Sequence, residues 1–238
     1  MPVPKGSIDL WLVDLDRWAE AGLDPASLTA GDRAAGERLR DDVVAQRLLA
    51  RRSAIRTVLA DIVGLDVSDL AIGRACSICG GTDHGRPAVV GASVEFSLSA
   101  SGRVAVLAVS DRPVGVDIEE VRGQIAPLAT ALSQPEQLGI ARLDCDQQAV
   151  GLLRLWTAKE AVLKAWGRNL ADDPAGVDVS GLLTTDRVTV VDEGRPWTVR
   201  VATVGIPQNG QAVLAVADED GVGLVRRSVD DPPPPAAS

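Results

Sequence analysis

The chain has 238 residues, of which 46% are hydrophobic and 3% aromatic, and it carries a net charge of −9. This length suits one large domain or two closely packed halves with an aliphatic core. The negative charge gives no support for a nucleic-acid partner, and no apolar run approaches the ~18 residues of a membrane span. Three cysteines argue against a disulfide framework. Because the N-terminus lacks signal-peptide features, we expect a cytoplasmic protein. We also expect a monomer.

Hydrophobic periodicity predicts the elements of the first half. Residues 8–15 alternate between apolar and acidic side chains, which is typical of a strand. Residues 42–60 combine an apolar face with four arginines and form the clearest amphipathic helix of the chain. Two strands follow over residues 93–101 and 103–110, and a tight turn joins them.

The second half follows a similar order of elements. We predict a strand over residues 114–121 and helical structure over residues 124–166, in which Ser133 and Glu136 have the spacing of a capping box. Short β-branched runs between residues 188 and 217 then predict an antiparallel meander.

These elements predict an α+β fold built from two similar halves. Each half has a small, mainly antiparallel sheet packed with a long helix. The halves are expected to comprise residues 1–113 and 114–226. The proline-rich residues 227–238 should form a disordered tail because they offer little apolar surface to bury.

Two short motifs bring charged side chains together. Asp117 and Glu119 lie two apart on the predicted strand and so share one face, beside Gly115, which would admit another backbone or a ligand. A solvated strand face is one interpretation, and a Mg²⁺ site with oxygen ligands is the other. Glu160 and Lys164 are one helical turn apart, where they would either form an ordinary pair worth about 0.2–0.5 kcal/mol or complete the site.

The segments GVDIE (115–119) and WTAKEAVLK (156–164) together resemble the surfactin-synthetase-activating (Sfp) type of 4′-phosphopantetheinyl transferases. Weaker similarities extend over most of the chain, in ARRSAIRTVLA (50–60), HGRP (84–87) and EFSLSASG (95–102). The main departure is Ala100, where the family usually has a His that contacts a phosphate of coenzyme A. Arg86 and Arg103 are nearby cations in sequence that could compensate.

The resemblance implies an activity. The family transfers the 4′-phosphopantetheine arm of coenzyme A to a serine of an acyl or peptidyl carrier protein and releases adenosine 3′,5′-bisphosphate. Such carriers serve fatty acid, polyketide and nonribosomal peptide synthesis. By resemblance, Mg²⁺ or Mn²⁺ would be held by Asp117, Glu119 and Glu160. Glu160 would also act as the base at the serine hydroxyl, and Lys164 would stabilise charge on the leaving phosphate.

The resemblance also implies a set of contacts to coenzyme A. These are Arg52, Arg86, Pro87, Ser99, Lys159 and Lys164. The arginines suit phosphate because a planar guanidinium can bind two oxygens at once. Two of the assignments have a second interpretation, because Arg52 would also fit a solvated helix face and Lys159 would also fit pairing with acids at the surface.

Other interpretations stay open on sequence alone. Cys76, Cys79 and His84 have zinc-ligand character, with Cys145 as a distant fourth ligand, although a turn-rich loop fits the same residues. A non-catalytic relative that binds coenzyme A or a carrier protein is favoured by Ala100. An α/β interaction protein whose carboxylates only decorate its surface is a further alternative.

Overall fold

The computed structural model describes residues 5–75, 81, 85–121, 131–168, 174–206, 210–219, 221 and 223–229. Within them the chain forms helices and strands in mixed order, which confirms the predicted α+β class. The helices are α1 (Leu15–Glu20), α2 (Ala30–Glu37), α3 (Asp42–Val63), α4 (Gln134–Ile140) and α5 (Cys145–Trp166). The strands are β1 (Ser7–Asp14), β2 (Ile72–Ala75), β3 (Arg86–Val89), β4 (Glu95–Ser101), β5 (Val104–Ser110), β6 (Val114–Glu120), β7 (Arg187–Asp192), β8 (Arg195–Ile206), β9 (Gly210–Asp218) and β10 (Gly223–Val229).

The N-terminal sheet has the strand order β10-β1-β5-β4. Its pairs are antiparallel except for β1 and β10, which run parallel with Ser7 opposite Gly223. The chain therefore returns from the second half to add an edge strand to the first. The predicted tail, which starts at residue 227, overlaps the last three residues of this strand, whereas residues 230–238 lie outside the described residues.

The C-terminal sheet is the predicted antiparallel meander with one strand added. Its order is β6-β9-β8-β7, and all of its pairs are antiparallel. A separate ribbon of β2 and β3 lies before β4 in the chain. The two halves thus share a plan, because each combines a four-stranded sheet with a helix of 22 residues.

The long helices begin and end at sequence signals. The side chain of Asp41 caps α3 by accepting a hydrogen bond from the backbone N–H of Val44, and Gly64 ends the helix in the left-handed conformation. Gly167 ends α5 in the same way. The predicted capping box of Ser133 and Glu136 is present at the start of α4. The predicted helical structure over residues 124–130 lies outside the described residues.

Apolar clusters pack each half and join the two halves to each other. In the first half Leu59 of α3 packs with Phe96 of β4, and in the second Leu155 of α5 packs on the C-terminal sheet. Between the sheets, side chains of β1 and β5 meet those of β6 and β9, including the buried Leu10 and Val116. Each such buried aliphatic side chain contributes roughly 1.5–3 kcal/mol, so the join between the halves is part of the hydrophobic core.

No helix in the described part of the chain has the length and apolar character needed to cross a bilayer.

Candidate active site

Helix α5 lies directly against strand β6 at Gly115. A Cβ atom added there would lie 1.9 Å from the carbonyl oxygen of Ala161 and 2.5 Å from the backbone nitrogen of Ala165. Only glycine permits this approach, and the group that it admits is the backbone of α5. The close packing brings two further residues of the helix, Glu160 and Lys164, beside the carboxylates of β6.

Asp117 is buried on β6 and receives two hydrogen bonds on one oxygen. The Nζ of Lys164 and the Oγ of Ser99 each donate to Asp117 Oδ1, both at 2.6 Å. Lys164 Nζ also donates to the carbonyl oxygen of Val116 at 3.3 Å. The other oxygen, Asp117 Oδ2, is buried and has no hydrogen-bond partner among the residues that the structure describes. Burial raises the pKa of Asp117, and the charge and hydrogen bond of Lys164 oppose that shift.

Glu119 projects from β6 beside Asp117 and is also held by a serine. The Oγ of Ser101 donates to Glu119 Oε2 at 2.8 Å. Burial raises the pKa of Glu119, the hydrogen bond from Ser101 lowers it, and the negative charge of Asp117 raises it again. The two carboxylates therefore act on each other electrostatically, as their spacing on the strand predicts.

The carboxyl of Glu160, on α5, also has a raised pKa. Its pKa is raised from the ordinary 4.5 to about 7, mainly because the side chain is partly buried. The negative charges of Asp117 and Glu119 raise it further, whereas Lys164 lowers it. Three carboxylates on two elements thus share one electrostatic environment. The pairing of Glu160 with Lys164 is secondary, since Lys164 forms its short hydrogen bond with Asp117 instead.

The residues fit a hard divalent cation by donor chemistry and charge. Carboxylate oxygens are the ligands that Mg²⁺ prefers, and the buried Asp117 Oδ2 has no other partner. Within the described residues, however, no three acidic, His or Cys side chains stand close enough to form a ready-made metal cluster. At Asp117 the ammonium of Lys164 supplies the positive charge.

A cationic cavity of about 290 Å³ opens beside Lys164 between the two halves. Its walls come from the β2–β3 ribbon, from β4 and from the end of α5, and Pro87 and Phe96 supply apolar surface. No acidic residue is among those that line it. The cations that line it are Arg74, Arg86, Lys164 and Arg168. Such a surface favours a ligand that carries several negative charges.

Each arginine of the cavity is held by a specific contact. Arg74 donates to the carbonyl oxygen of Gly85 at 3.0 Å. The Nη1 atom of Arg86 lies 3.6 Å from Glu95 and is buried, with no hydrogen bond to any described residue. The guanidinium of Arg168 lies 4.9 Å from the centroid of the Trp166 ring and donates to Asp192 at 2.8 Å. Arg86 also packs on Gly167, where a Cβ atom would lie 3.2 Å from its Nε.

The structure brings together only some of the contacts that the resemblance implies for coenzyme A. Arg86, Pro87 and Lys164 line the cavity. Ser99 bonds to Asp117 next to it. Arg52 is not among the lining residues, because it forms an ion pair with Asp32 of α2. The roles of Ser99 and Arg52 toward coenzyme A stay predictions.

Lys159 is buried, which does not fit its predicted roles at the surface and toward coenzyme A. Its ammonium is fully buried and lies 2.8 Å from Glu136, which is also fully buried, and it donates to the carbonyl oxygens of Pro174 and Val177. The prediction of a surface pair is wrong, and a group with no exposed surface cannot contact a ligand in the cavity. Lys159 therefore ties α5 to α4 and to residues 174–179.

The side chain at the position that departs from the family pattern lies on the opposite face of β4 from Ser99 and Ser101, which bond to the carboxylates. Ala100 is partly buried against the apolar cluster of Val13, Trp18 and Ala54. Arg103, a predicted substitute cation, forms an ion pair with Asp14 at 2.8 Å. Its guanidinium is thus committed to a partner, and Arg86 is the predicted substitute that lines the cavity.

Sequence reasoning missed Arg74 and Arg168. Arg74 lies on β2, a strand that the sequence pattern did not predict, and Arg168 follows the end of α5. For Arg168 the sequence offered one signal. It directly follows the helix-ending Gly167, and a cation at that point lies at the mouth of the site. Cys76, Cys79 and His84 lie outside the described residues, and Cys145 is a free, exposed cysteine.

A family model described as the 4′-phosphopantetheinyl transferase superfamily matches residues 113–217 of the chain. This range contains both β6 and α5, and therefore all three carboxylates and Lys164. The proteins of this superfamily are enzymes. Asp117, Glu119 and Glu160, which share one electrostatic environment, all lie in the matched part of the chain.

Several curated proteins resemble the chain. A 4′-phosphopantetheinyl transferase of Bacillus subtilis is 29% identical over 164 residues, which cover 67% of this chain and 70% of that protein. A phosphopantetheinyl transferase of Thraustochytrium is 27% identical and covers 93% of this chain and 91% of its own length. The 4′-phosphopantetheinyl transferase psf-1 of Bacillus pumilus is 31% identical over 58% of each chain. The similarity thus extends beyond the segment matched by the family model.

Proposed function

We propose that the chain transfers the 4′-phosphopantetheine group of coenzyme A to a serine of an acyl or peptidyl carrier protein and releases adenosine 3′,5′-bisphosphate. The observation that carries this proposal is the position of Lys164. Its ammonium bonds to buried Asp117 and at the same time lines a cavity walled by three arginines. One residue thereby connects the acidic group, formed by Asp117, Glu119 and Glu160, to a surface suited to the phosphates of coenzyme A.

Asp117, Glu119 and Glu160 would hold a Mg²⁺ ion, and Mn²⁺ has the same preference for oxygen ligands. When bound, the ion supplies a Lewis acid and a template for the pyrophosphate of coenzyme A. Two observations support this assignment: Asp117 Oδ2 is buried with no hydrogen-bond partner among the described residues, and the charges of Asp117 and Glu119 raise the pKa of Glu160.

The remaining chemistry belongs to side chains of α5 and of the cavity. Glu160 has a pKa of about 7, which suits a base that accepts the proton of the carrier serine hydroxyl near neutral pH. Lys164 is partly exposed and reaches the cavity, where it can stabilise negative charge on the leaving phosphate. Arg86, Arg74 and Arg168 hold the nucleotide end through charge-assisted hydrogen bonds.

The test is to incubate the purified protein with coenzyme A, Mg²⁺ and an unmodified carrier protein, and to weigh the carrier by mass spectrometry. We expect the carrier to gain the mass of one phosphopantetheine group, and adenosine 3′,5′-bisphosphate to accumulate in equal amount. A replacement of the carrier's acceptor serine by alanine is the control and should gain no mass. An unchanged wild-type carrier, tested over carriers of all three biosynthetic types, would contradict the proposal.

A further inference from the structure

The turn between β4 and β5 is bonded to the end of β6. Ser101 Oγ donates to Glu119 Oε2 at 2.8 Å and accepts a hydrogen bond from the backbone N–H of Glu120 at 3.1 Å. The backbone N–H of Arg103 donates to the side chain of Glu120 at 3.1 Å. One short turn therefore holds both the backbone of β6 and the side chain of Glu119 where the strand ends.

Ser101 is the last of three serines that share one face of β4. Ser97 accepts a hydrogen bond from the backbone N–H of Val116 at 3.1 Å, and Ser99 donates to Asp117. Strands β4 and β6 belong to different sheets. The serine hydroxyls thus form hydrogen bonds between the two halves. Two of the three hydroxyls donate to carboxylates of the acidic group.

We propose that Ser101 is a positioning residue that orients Glu119 for a divalent cation. The inference rests on the proposed function, which assigns the cation to Asp117, Glu119 and Glu160. Ser101 occupies one oxygen of Glu119, and the described residues offer no hydrogen-bond partner for the other. A glutamate has three rotatable side-chain bonds, so a fixed hydrogen bond at one oxygen selects the direction of the second.

The sharpest test compares Ser101→Thr with Ser101→Val, because the two side chains have nearly the same shape and only threonine keeps the hydroxyl. Binding of Mn²⁺ alone is measured by the electron paramagnetic resonance signal of the free ion, so the readout does not depend on turnover. We expect the dissociation constant of the valine variant to rise about ten- to a hundredfold, as is usual when a hydrogen-bond partner of a metal ligand is lost. The threonine variant should stay close to wild type.

Ser110→Ala serves as the matched control. Ser110 is a buried serine at the other end of β5, and its hydroxyl bonds only to backbone groups of Ser7 and Arg112. This variant should bind Mn²⁺ like wild type. Thermal unfolding of all variants checks that they are folded. Equal Mn²⁺ affinity in the threonine and valine variants, or no Mn²⁺ binding by wild type, would overturn the inference.

Transfer assays separate this inference from the proposed function. In the valine variant we expect a higher Mg²⁺ concentration for half-maximal rate, with a rate at saturating Mg²⁺ close to wild type. If wild type modifies the carrier while the valine and threonine variants respond to metal alike, the role of Ser101 is wrong and the transferase stands. If wild type modifies no carrier, the proposed function fails, whereas the Mn²⁺ titrations still report on Ser101.

Discussion

Glu160 differs from an ordinary helix-surface glutamate in its electrostatic surroundings. Burial and the charges of Asp117 and Glu119 raise its pKa to about 7. We therefore expect Glu160→Gln, which keeps the shape but removes the charge and the basicity, to lower turnover by about a hundredfold or more. The measurement is the initial rate of carrier modification at saturating coenzyme A and Mg²⁺. A role limited to a helical ion pair would leave the rate within a few-fold of wild type.

The pH dependence of transfer tests the same role. A base acts only when it is unprotonated, so the wild-type rate should rise with pH through an apparent pKa of about 7 or below, because a bound cation favours the ionised form. The residual activity of Glu160→Gln should lack this rise. A rise of equal size in both proteins would assign the titration to another group.

Arg86 allows a prediction about binding rather than chemistry. It lines the cavity, and its Nη1 atom is buried without a hydrogen bond. Because hydrogen bonds to charged groups contribute about 1.5–3 kcal/mol, Arg86→Gln should raise the Michaelis constant for coenzyme A about ten- to a hundredfold with little change in turnover. Arg195→Gln, at an arginine that is 75% exposed on β8, is the control and should bind coenzyme A normally.

A comparison of ligands makes this prediction sharper. The same two variants should be assayed with coenzyme A and with its analogue lacking the 3′-phosphate. A larger effect on coenzyme A would mean that Arg86 contacts that phosphate, and an equal effect would mean that it contacts the pyrophosphate or the base. An unchanged Michaelis constant for both ligands would remove Arg86 from the binding site.

At the scale of elements, α5 is anchored by a buried ion pair. Lys159 and Glu136 are both fully buried, and Glu136 also accepts hydrogen bonds from the backbone N–H groups of Ser133 and Val179. Removing one partner of such a pair leaves an uncompensated buried charge. We expect Lys159→Met to lower the free energy of unfolding by about 3–5 kcal/mol, measured by urea titration. Arg195→Met, which removes an exposed pair, should cost less than about 1 kcal/mol.

The response of transfer distinguishes an anchoring role from a direct role of Lys159. Because Lys159 has no exposed surface, the Michaelis constant for coenzyme A of the folded fraction of Lys159→Met should be close to wild type. A rise of a hundredfold in a variant of nearly wild-type stability would restore the original prediction of a ligand contact.

Strong periodicity explains which elements could be predicted. The helix α3, the strands β4, β5 and β6, and the three-stranded meander have uniform apolar patterns, and the structure confirms them close to the expected bounds. Strand β10 was missed because GLVRRSV lies next to a proline-rich tail and takes its pairing from β1, far away in sequence. A local sequence pattern does not indicate pairing with a strand so far away in sequence.

The residues of the candidate site also divide into those that the sequence predicts and those that it does not. Spacing places Asp117 and Glu119 on one strand face and Glu160 and Lys164 on one helix face, and the family resemblance predicts that the two pairs form one site. The burial of Lys159 could not be predicted from the sequence. Lys159 and Glu160 are adjacent charged residues of the same helix, yet Lys159 is buried and Glu160 is partly exposed. The cavity is assembled from the four elements β2, β3, β4 and α5, so no single segment predicts Arg74 and Arg168 together.

At the scale of the whole molecule, the net charge of −9 conceals a positive surface. The four cations of the cavity come from both halves, and the acidic group lies at the join between them, where β4 and α5 meet β6. A polyanionic ligand is therefore favoured at one place on an acidic protein. Local charge of this kind, rather than the total, steers association.

The acidic group should also make the stability of the whole protein depend on pH and on metal. The pKa of Glu160 is about 7 in the folded protein and ordinarily 4.5, so protonation favours the folded state. Without metal, stability should therefore rise as pH falls through 7 towards 4.5. Asp16 and Asp32 have lowered pKa values, so their stabilising effect persists above the ordinary value of 3.8 and is lost only in stronger acid.

Metal binding should reverse this trend, because a cation needs the ionised carboxylates. A ligand at a hundredfold excess over its dissociation constant adds about 2.7 kcal/mol, so Mg²⁺ should raise the melting temperature by several degrees at pH 8 and much less at pH 5.5. The measurement is thermal unfolding in a chelator and in Mg²⁺ at both pH values. Glu160→Gln should melt higher than wild type in the chelator at pH 8 and respond less to Mg²⁺. If Mg²⁺ stabilises wild type equally at both pH values, or stabilises the variant as strongly as wild type, the cation does not bind at these carboxylates.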